Sequence, residues 1–480
     1  PRRRPGPAPG LSGAVAMGIV TPGIVPATTL LAELSPTWLG RWTAFAADLS
    51  PADLPEAAVE RARLVLLDSL GVIAAGMREP ECRALAERLA ARRKGEAPAI
   101  GSGLSLDPRD AALVNGAAGT TLELDEGNQY ARGHPAIHVV PAALAAAQEV
   151  GASGADLIAA LVLGYEIGAR IGIASKLRVT MHPHGTWGTV GAALAVAKLH
   201  GADAAMIGRT IGLASSLGLS TSRRTMLEGA TVRNTYAGFS NQLGLTAWDL
   251  AESGFLPERD GIGTVYGGIL AEDFSPEAMV EDLGTRWEIA RNYFKRHAAC
   301  RYTHGALDAL AQIRLDAGPL DPDSVRSVEV ATYVWAAQLD HPAPETMLAA
   351  KFSLPFALAT ALVRGAADTD AFRDEARSDR RILSLARRVM VQEDPTMTAQ
   401  LPSLRPAKVT LTLADGRKLT AKALTNRGDT EDPYSADDVR EKFRALAGPV
   451  WGAERSDNVI RAVAGLDRAV GIEELLALVA

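Results

Sequence analysis

The sequence has few cysteines and few aromatic residues. Only Cys82 and Cys300 occur among 480 residues, so the chain can build neither a disulfide framework nor a CxxC metal site. This usage is typical of reducing compartments, and we predict a cytoplasmic location. Aromatic residues make up 5% of the chain and apolar residues 47%, with alanine and leucine abundant. The composition favours close-packed helices, so we predict a mainly α fold.

Neither a basic stripe nor a long uncharged apolar run is present. The net charge is −6, and the 22% of charged residues are mixed in sign. Because no stripe of Lys and Arg is interleaved with aromatic residues, we expect no nucleic-acid partner. The most apolar segment, residues 154–174, contains Asp156, Glu166 and Arg170, whereas a membrane-spanning helix needs about 20 predominantly apolar residues. We therefore expect no membrane association.

The sequence also lacks the usual signatures of cofactors and metals. No GxGxxG motif follows a predicted strand, and residues 261–267 only imitate one, so no dinucleotide is expected. His134 and His138 are four residues apart, as metal ligands on a helix can be, yet no HExxH motif or cysteine pair accompanies them. We predict no cofactor and no metal.

The length and the periodicity of the chain predict two domains, one of them helical. A chain of 480 residues exceeds the size at which a single core stops growing. Residues 1–28 are predicted to be a disordered leader, with Met17 as a candidate start. Apolar residues then recur at spacings of three and four, as in Val59, Ala62 and Val65, which indicates helices with one buried face. Helices are predicted over residues 57–75, 81–93, 107–120, 136–150, 154–174, 186–200, 203–217, 241–253 and 276–284.

The pattern changes after about residue 295 and changes back after about residue 430. Several segments alternate or are β-branched, and Asp415-Gly416 is typical of a hairpin turn. Strands are predicted over residues 324–334, 389–393, 408–413 and 418–423. We therefore predict a discontinuous all-helical domain made of residues 36–295 and 429–480, with a smaller α+β lid domain, residues 296–428, between its two parts.

Carboxylates and histidines concentrate in one stretch of the predicted helical domain. Glu123, Asp125 and Asn128 lie between strongly apolar flanks, which favours a position near the core over a solvated loop, and buried carboxylates need partners. His134 stands at a Pro-led helix start. His182 precedes a Gly- and Thr-rich helix start, which attracts anions; the alternative for His182 is a structural role at a turn. Because histidine exchanges protons near neutral pH, we interpret these residues as one pocket.

Cationic candidates lie farther along the chain. Arg233 and Tyr236 stand between apolar helices. Arg233 either pairs with a core carboxylate or binds a substrate carboxylate through both arms of its guanidinium, and the sequence favours neither. Lys295 and His304 belong to a compact set of cations and histidines at the predicted domain boundary, where clefts form. The alternative for this set is a solvated charged face.

Together these motifs resemble the MmgE/PrpD family, which includes 2-methylcitrate dehydratase, cis-aconitate decarboxylase and iminodisuccinate epimerase. The similarity extends from about Trp38 to Ala480. It rests on six elements in the same order: residues 65–76, Gly133-His134-Pro135, residues 163–170, His182-Pro183 with residues 188–193, Cys300 with His304, and residues 351–355. The resemblance implies a helical domain formed by both chain ends, an α+β lid and a homodimer.

The resemblance also implies roles for individual residues. It places the family's site residues on Glu123, Asp125, His134, His182, Arg233 and His304. Two departures from the family pattern bear on the chemistry. The customary DFDDT is ELDEG here, and Arg233 stands where a lysine is usual. Since a guanidinium does not lose its proton, Arg233 is expected to bind an anion rather than to act as a base.

We expect a cofactor-independent lyase or isomerase that abstracts a proton α to a carboxylate of a small di- or tricarboxylic acid. The predicted catalytic residues are His134, His182, Asp125 and His304, and the predicted substrate-binding residues are Glu123, Asn128, Arg233, Tyr236 and Lys295. Dehydration is the first expectation because it is the family's commonest assigned chemistry. Epimerisation and decarboxylation are alternatives, and a non-catalytic binding protein that retains the fold is the rival.

Overall fold

A computed structural model describes residues 38–480. Over this range the protein is mainly helical with small sheets, in agreement with the composition. The predicted leader, residues 1–28, lies outside the described residues.

Residues 38–293 are built largely from helices, and small residues let these helices approach closely. A Cβ atom at Gly116 would lie 2.7 Å from the backbone of Gly238, and one at Gly164 would lie 2.6 Å from the Gly191 carbonyl. The helices predicted from the sequence are present with ends shifted by a few residues. The α-helices of five or more residues are α1 (Trp38–Asp48), α2 (Glu56–Gly76), α3 (Pro80–Ala90), α4 (Pro108–Thr121), α5 (Val140–Val150), α6 (Gly154–Ala174), α7 (Gly188–Leu199), α8 (Ala204–Leu217), α9 (Arg224–Glu228), α10 (Tyr236–Glu252) and α11 (Pro276–Val280).

This segment is not entirely helical, and the expectation of an all-helical first part was wrong in that respect. Its strands are β1 (Ala97–Ala99), β2 (Leu104–Leu106), β3 (Gly127–Asn128), β4 (Ser175–Leu177), β5 (Ala271–Phe274) and β6 (Asn292–Tyr293). β1 pairs with β2, β3 with β6, and β4 with β5, all antiparallel. Strands of two to four residues are too short to produce a period-two pattern, so no pattern predicted them.

The next part of the chain combines helices with a four-stranded sheet. Its helices are α12 (Arg301–Ala317), α13 (Val334–Ala337), α14 (Met347–Lys351), α15 (Leu354–Arg364), α16 (Asp374–Arg377), α17 (Arg380–Ala386) and α18 (Pro395–Thr398), and its strands are β7 (Val325–Thr332), β8 (Val389–Glu393), β9 (Ala407–Leu413) and β10 (Lys418–Ala423). The strand order is β10-β9-β7-β8, with β7 and β8 parallel and the other pairs antiparallel. α12 packs against β9, β10 and α15. The four predicted strands and the hairpin between β9 and β10 are confirmed.

The chain ends in helices that return to the first part. α19 (Ala436–Ala464) packs along α2 and is interrupted at Gly452, whose φ is 77°; α20 (Glu473–Val479) follows. Buried apolar residues form two clusters. One draws on residues 38–294 and 434–479, and the other on residues 298–413 with four side chains from the first part. This segregation supports the proposed boundaries near residues 295 and 429.

α6 is the one helix of the described residues that is long and apolar enough to cross a membrane. We expected the charged residues of this segment to exclude a membrane-spanning helix, but by length and composition α6 still qualifies as one. However, 94% of the most apolar 18-residue segment of α6 is buried inside the protein. Glu166 and Arg170 form an ion pair within it at 2.8 Å. α6 is therefore a core helix of this fold, and its apolar character is explained by burial.

Candidate active site

The loop that follows α4, residues 122–128, organises the site and is called the acidic loop below. Glu123 in this loop has a φ of 56°, a left-handed conformation that residues with a Cβ adopt at an energetic cost. Its carboxylate is buried and forms an ion pair with Arg233, and Lys295 Nζ lies 3.6 Å from its second oxygen. These contacts hold a conformation that the loop sequence alone does not favour.

Three buried lysines, called the lysine triad below, fix the backbone of the acidic loop. The carbonyl oxygens of the consecutive residues 122–124 accept hydrogen bonds, in order, from the Nζ atoms of Lys351, Lys295 and Lys442, at 2.9, 3.0 and 2.6 Å. The lysines belong to α14, to the segment before α12, and to α19. Burial lowers the pKa of Lys351 to about 7 and also lowers the pKa of Lys442. Three distant parts of the chain thus meet on one short loop.

His134 lies directly beside the acidic loop. Its Nδ1 lies 2.6 Å from the Glu126 carbonyl oxygen and 3.1 Å from Asp125 Oδ2. A carbonyl only accepts, so Nδ1 carries the proton and donates it, and Nε2 keeps its lone pair. Burial and the nearby Lys295 ammonium lower the pKa of His134 well below its usual 6.5. His134 therefore presents a neutral ring with an unprotonated Nε2.

His182 has the opposite arrangement of protons. Its Nδ1 accepts the backbone N–H of His184 at 3.1 Å, so the ring proton is on Nε2. The turn is held by Thr221, whose hydroxyl donates to the His182 carbonyl at 2.5 Å. Burial and the Arg233 guanidinium lower the pKa of His182 well below 6.5. The neutral ring is consequently a proton donor through Nε2.

His184 stands between these two histidines. Its ring centroid lies 4.5 Å from that of His134 and 4.9 Å from that of His182. Its Nε2 lies 3.5 Å from Arg233 Nη2 and accepts from it, and its buried Nδ1 has no hydrogen-bond partner in the described part of the chain. The three rings form a row, with Arg233 beside it.

His138, four residues after His134, has a structural role. Its Nδ1 donates to the His134 carbonyl at 2.7 Å, and its Nε2 accepts the backbone N–H of Gly185 at 3.1 Å. Burial lowers its pKa to about 4. Both nitrogens are used, as expected for a core histidine.

The pocket lies between the helical part and the α+β part of the chain. Its charged and titratable lining residues are Glu123, His134, His182, His184, Tyr293, Cys300, Tyr302, Arg132, Arg223, Arg233, Arg301 and Arg405. Apolar contacts come from Met181, Met226 and Phe352. One carboxylate therefore faces five guanidiniums, and such a lining is suited to an anionic ligand.

The sequence-predicted residues fall into two groups. Glu123, His134, His182 and Arg233 line the pocket. Asp125 and Lys295 lie behind it, 3.6 Å from each other, and contact the residues that line it. Tyr236 is also behind the lining, with its ring 6.3 Å from that of His182.

Asn128 does not face the pocket, and the structure gives it another role. Its side-chain oxygen accepts the backbone N–H groups of Tyr130 and Ala131 at 2.9 and 3.0 Å, and its Nδ2 donates to the Glu288 carbonyl at 3.0 Å. These bonds use the amide oxygen and one of the two Nδ2–H groups, and the side chain is not part of the pocket lining. Asn128 shapes the turn that presents Arg132 to the pocket.

His304 is also placed differently from the expectation. Its Nε2 donates to the Ala299 carbonyl at 3.1 Å, and its Nδ1 accepts from Arg301 Nη1 at 2.9 Å. His304 is buried outside the lining, whereas Arg301 is part of it. The catalytic role of His304 stays a prediction, and its contacts are those of a residue that positions Arg301.

Sequence reasoning missed His184 and four of the arginines. His184 was visible two residues after His182 in the same motif. Arg301 was visible in the cationic cluster before His304. Arg132, Arg223 and Arg405 carry no local signal, because only the folded chain brings their three segments together.

Comparison with known proteins settles the family. The model of the MmgE/PrpD N-terminal domain matches residues 41–269, and that of the MmgE/PrpD C-terminal domain matches residues 297–468. The chain belongs to the MmgE/PrpD family. This membership confirms the resemblance and makes the protein an enzyme of the lyase or isomerase type.

Several similar proteins are cis-aconitate decarboxylases or are named after them. One from Aspergillus terreus is 27% identical over 467 residues, which cover 90% of this chain and 94% of the relative. The cis-aconitate decarboxylase-like protein oryM of Aspergillus oryzae is 27% identical over 463 residues, covering 90% and 95%. The human cis-aconitate decarboxylase is 25% identical over 382 residues, covering 76% and 78%.

Two of the residues that depart from the MmgE/PrpD pattern, at positions 123 and 233, lie against each other. Glu123, which stands for the first Asp of the pattern, forms an ion pair with Arg233, which stands for the usual Lys. Both side chains are 1% exposed, so neither charge is compensated by water. The longer acid at residue 123 therefore lies against the arginine at residue 233.

Three buried side chains could bring ligand atoms together around a metal. Asp125, His134 and His184 can place one donor atom each within 4.8 Å of one another. However, the guanidinium of Arg233 contacts His184, and the ammonium of Lys295 lies 3.6 Å from Asp125. Two fixed positive charges at this distance oppose a cation. Because these cations already pair with the nearby carboxylates, a site without a metal stays our prediction.

Proposed function

We propose that the protein is a lyase that transfers a proton at the carbon next to a carboxylate of a small di- or tricarboxylic acid. One observation carries the proposal. His134 and His182 face the same pocket in complementary protonation states, one with a free lone pair on Nε2 and the other with a proton there. A base and an acid of this kind are what α-proton chemistry requires.

His134 is proposed as the base. When its Nε2 takes the α proton, the ring becomes an imidazolium whose Nδ1–H points to the Glu126 carbonyl and lies 3.1 Å from Asp125. The buried carboxylate stabilises this charge, and Lys295 holds the carboxylate in place. Negative charge then spreads onto the substrate carboxylate, where Arg233 is positioned to stabilise it.

His182 is proposed as the acid. In a dehydration, its Nε2–H would protonate the β-hydroxyl, which leaves as water while the α and β carbons form a double bond. In the decarboxylation of an unsaturated tricarboxylate, the bond to CO2 breaks, its electron pair becomes a new double bond, and the old double bond takes the proton of His182. Decarboxylation thus needs the donor only.

The names of the relatives make decarboxylation of cis-aconitate the first reaction to test. The free base at His134 favours dehydration of a hydroxy acid as the second. Thiolate chemistry is not part of the proposal, because burial raises the pKa of Cys300 to about 11 and keeps it protonated.

Incubation of the enzyme with cis-aconitate and with citrate in D2O tests the proposal. CO2 release with one deuterium in the product, measured by NMR, would identify a decarboxylase. Deuterium uptake without CO2 would identify a dehydratase or, with an inverted centre, an epimerase. If no member of a panel of di- and tricarboxylates takes up deuterium, the proposed chemistry is wrong.

We also propose a homodimer formed through the helical part. Large apolar side chains are exposed within residues 227–239: Leu227, Val232 and Phe239 are 40%, 54% and 37% exposed. An obligate interface buries more than about 2,000 Å² in total, and apolar side chains of this kind are typical of one. A monomer in light scattering at micromolar concentration would contradict this assembly.

A further inference from the structure

A groove separate from the histidine pocket is present elsewhere in the molecule and is called the second groove below. Its volume is about 830 Å³, and its walls come from α3, the end of α4, residues 231–235, the start of α14 and α16. No residue that lines it also lines the histidine pocket. A cavity of this size is large enough for a small organic ligand.

Asn234 gives the second groove a buried acceptor that is not used. The residue is 8% exposed, and its side-chain oxygen has no hydrogen-bond partner among the described residues. Its backbone carbonyl accepts the Thr120 hydroxyl at 2.7 Å, so the residue is held in place by its main chain. Buried polar atoms are nearly always hydrogen-bonded, and this oxygen therefore needs a donor from a ligand.

Carboxylates outnumber cations around the second groove. Its two guanidiniums are already used, because Arg373 binds buried Glu79 at 2.8 and 3.2 Å and Arg377 pairs with Asp374. The lining carboxylates that form no ion pair within the described range are Glu81, Glu345 and Glu375. They are exposed and stand on different walls, so they can attract separate positive charges of one ligand.

Part of the lining is apolar. Leu85 of α3 and Met347 of α14 are partly exposed, and Leu348 is buried beside Met347. A compact inorganic cation would leave this surface in water. An aliphatic chain that carries charged groups would cover it and still reach the carboxylates.

We propose that the second groove binds a linear aliphatic polyamine. One ammonium donates to the Asn234 oxygen, and the others face the carboxylates of Glu81, Glu345 and Glu375. An ammonium group is a donor without an acceptor, so it suits the amide oxygen and the carboxylates alike, whereas an anion would be repelled by them. The inference goes beyond the proposed function and does not rest on it, since the two sites share no lining residue.

Isothermal titration calorimetry of the full chain with spermidine tests the proposal. Spermidine is expected to bind at one site per chain and at least about tenfold more tightly than butylamine, which carries a single charge. Octane-1,8-diol has the same chain length without the charges and should show no measurable binding. Raising NaCl from about 50 to about 200 mM should weaken spermidine binding, because salt screens exposed charges.

Asn234→Ala tests the buried acceptor. Spermidine binding is expected to weaken by about tenfold, since a hydrogen bond to a charged donor is lost. The melting temperature without ligand should stay within a few degrees of the wild type, because the amide oxygen has no partner to lose. Asn234→Asp keeps an acceptor at this position and should bind spermidine better than Asn234→Ala.

A triple variant tests the free carboxylates. It combines Glu81→Gln, Glu345→Gln and Glu375→Gln, and spermidine binding is expected to weaken by about tenfold. The matched control combines Glu87→Gln, Glu329→Gln and Glu474→Gln, at exposed glutamates outside the groove. Both variants have the same net charge, and the control should bind like the wild type.

No spermidine binding by the wild type would overturn the site. Equal weakening in the triple variant and in its control would show attraction to net charge only and would also overturn it. Unchanged affinity in folded Asn234→Ala would remove the buried acceptor from the proposal, and binding of a trilysine peptide without binding of spermidine would overturn the polyamine class. These outcomes are independent of deuterium exchange at the histidine pocket.

Discussion

At the scale of single residues, the proton positions follow from simple donor and acceptor rules. His134 must donate from Nδ1 because a carbonyl faces it, and His182 must accept at Nδ1 because a backbone N–H faces it. The sequence could place both histidines in one pocket but could not tell base from acid. That distinction depends on which backbone group each ring meets after folding.

The pH dependence of turnover checks the neutral base. Burial and the Lys295 ammonium hold the pKa of His134 well below 6.5. The ring therefore stays unprotonated as the pH falls through 6.5, and kcat/KM should begin to fall only at lower pH. A profile of kcat/KM between pH 4.5 and 8 measures this. An acidic limb centred at 6.5 or above would contradict a desolvated His134 as the base.

Replacement of the proposed acid should separate catalysis from folding. In His182→Ala, the pocket loses its Nε2–H donor, and kcat is expected to fall at least about 100-fold. The melting temperature should stay within a few degrees, because the ring fills a pocket wall rather than a packed core. His341→Ala, at an exposed histidine, is the matched control and should retain full activity. Parallel loss of stability and activity in His182→Ala would make His182 structural.

At the scale of secondary-structure elements, hydrophobic periodicity was sufficient to predict the long elements. Helices with one buried face and the sheet strands β7 to β10 were predicted within a few residues, because their patterns repeat several times. The short strands, and the contacts of Lys351 and Lys442 with the acidic loop, were not predicted. A lysine that donates to a carbonyl more than 200 residues away leaves no local pattern.

The lysine triad predicts loss of activity from a residue outside the pocket. Lys442 donates to the acidic loop and pairs with buried Asp68 at 2.6 Å. Lys442→Met leaves Asp68 without its cation, and the free energy of unfolding should fall by about 3–5 kcal/mol. kcat/KM should fall as well, since the loop loses one of its three donors. Denaturant unfolding and steady-state kinetics measure the two effects.

A double variant separates stability from loop position. Asp68→Asn combined with Lys442→Met removes both charges, so much of the lost stability should return. kcat/KM should remain low, because the carbonyl of residue 124 still lacks its donor. Lys418→Met, at an exposed lysine of β10, is the control for loss of a lysine. Recovery of both stability and activity in the double variant would show that Lys442 does not position the loop.

At the scale of the whole molecule, a buried acid links stability to pH. Burial raises the pKa of Glu126 to about 8, against about 4.3 in an unfolded chain. The folded state therefore holds a proton that the unfolded state releases between these values. The stabilisation is complete below about pH 4.3 and is lost as the pH rises through 8.

Glu126→Gln should flatten this dependence. The amide keeps an oxygen for the Ala136 N–H and a partner for the Tyr165 hydroxyl, but it has no proton to lose. Between pH 6 and pH 9 the melting temperature of the wild type should fall, and that of Glu126→Gln should fall less. Melting curves in buffers of matched ionic strength provide the comparison. Equal slopes for the two proteins would contradict a proton on Glu126.

The contact of Lys442 with the acidic loop also has a consequence for synthesis. The lysine is made 318 residues after the carbonyl it binds. At roughly 5–20 residues per second, the ribosome needs about 16 to 64 s to cover that interval. During this interval Asp68 and the carbonyl of residue 124 lack their partner. The nascent chain therefore contains helices, but the acidic loop is not yet held by all three lysines. The catalytic loop therefore becomes complete only after α19 has left the exit tunnel.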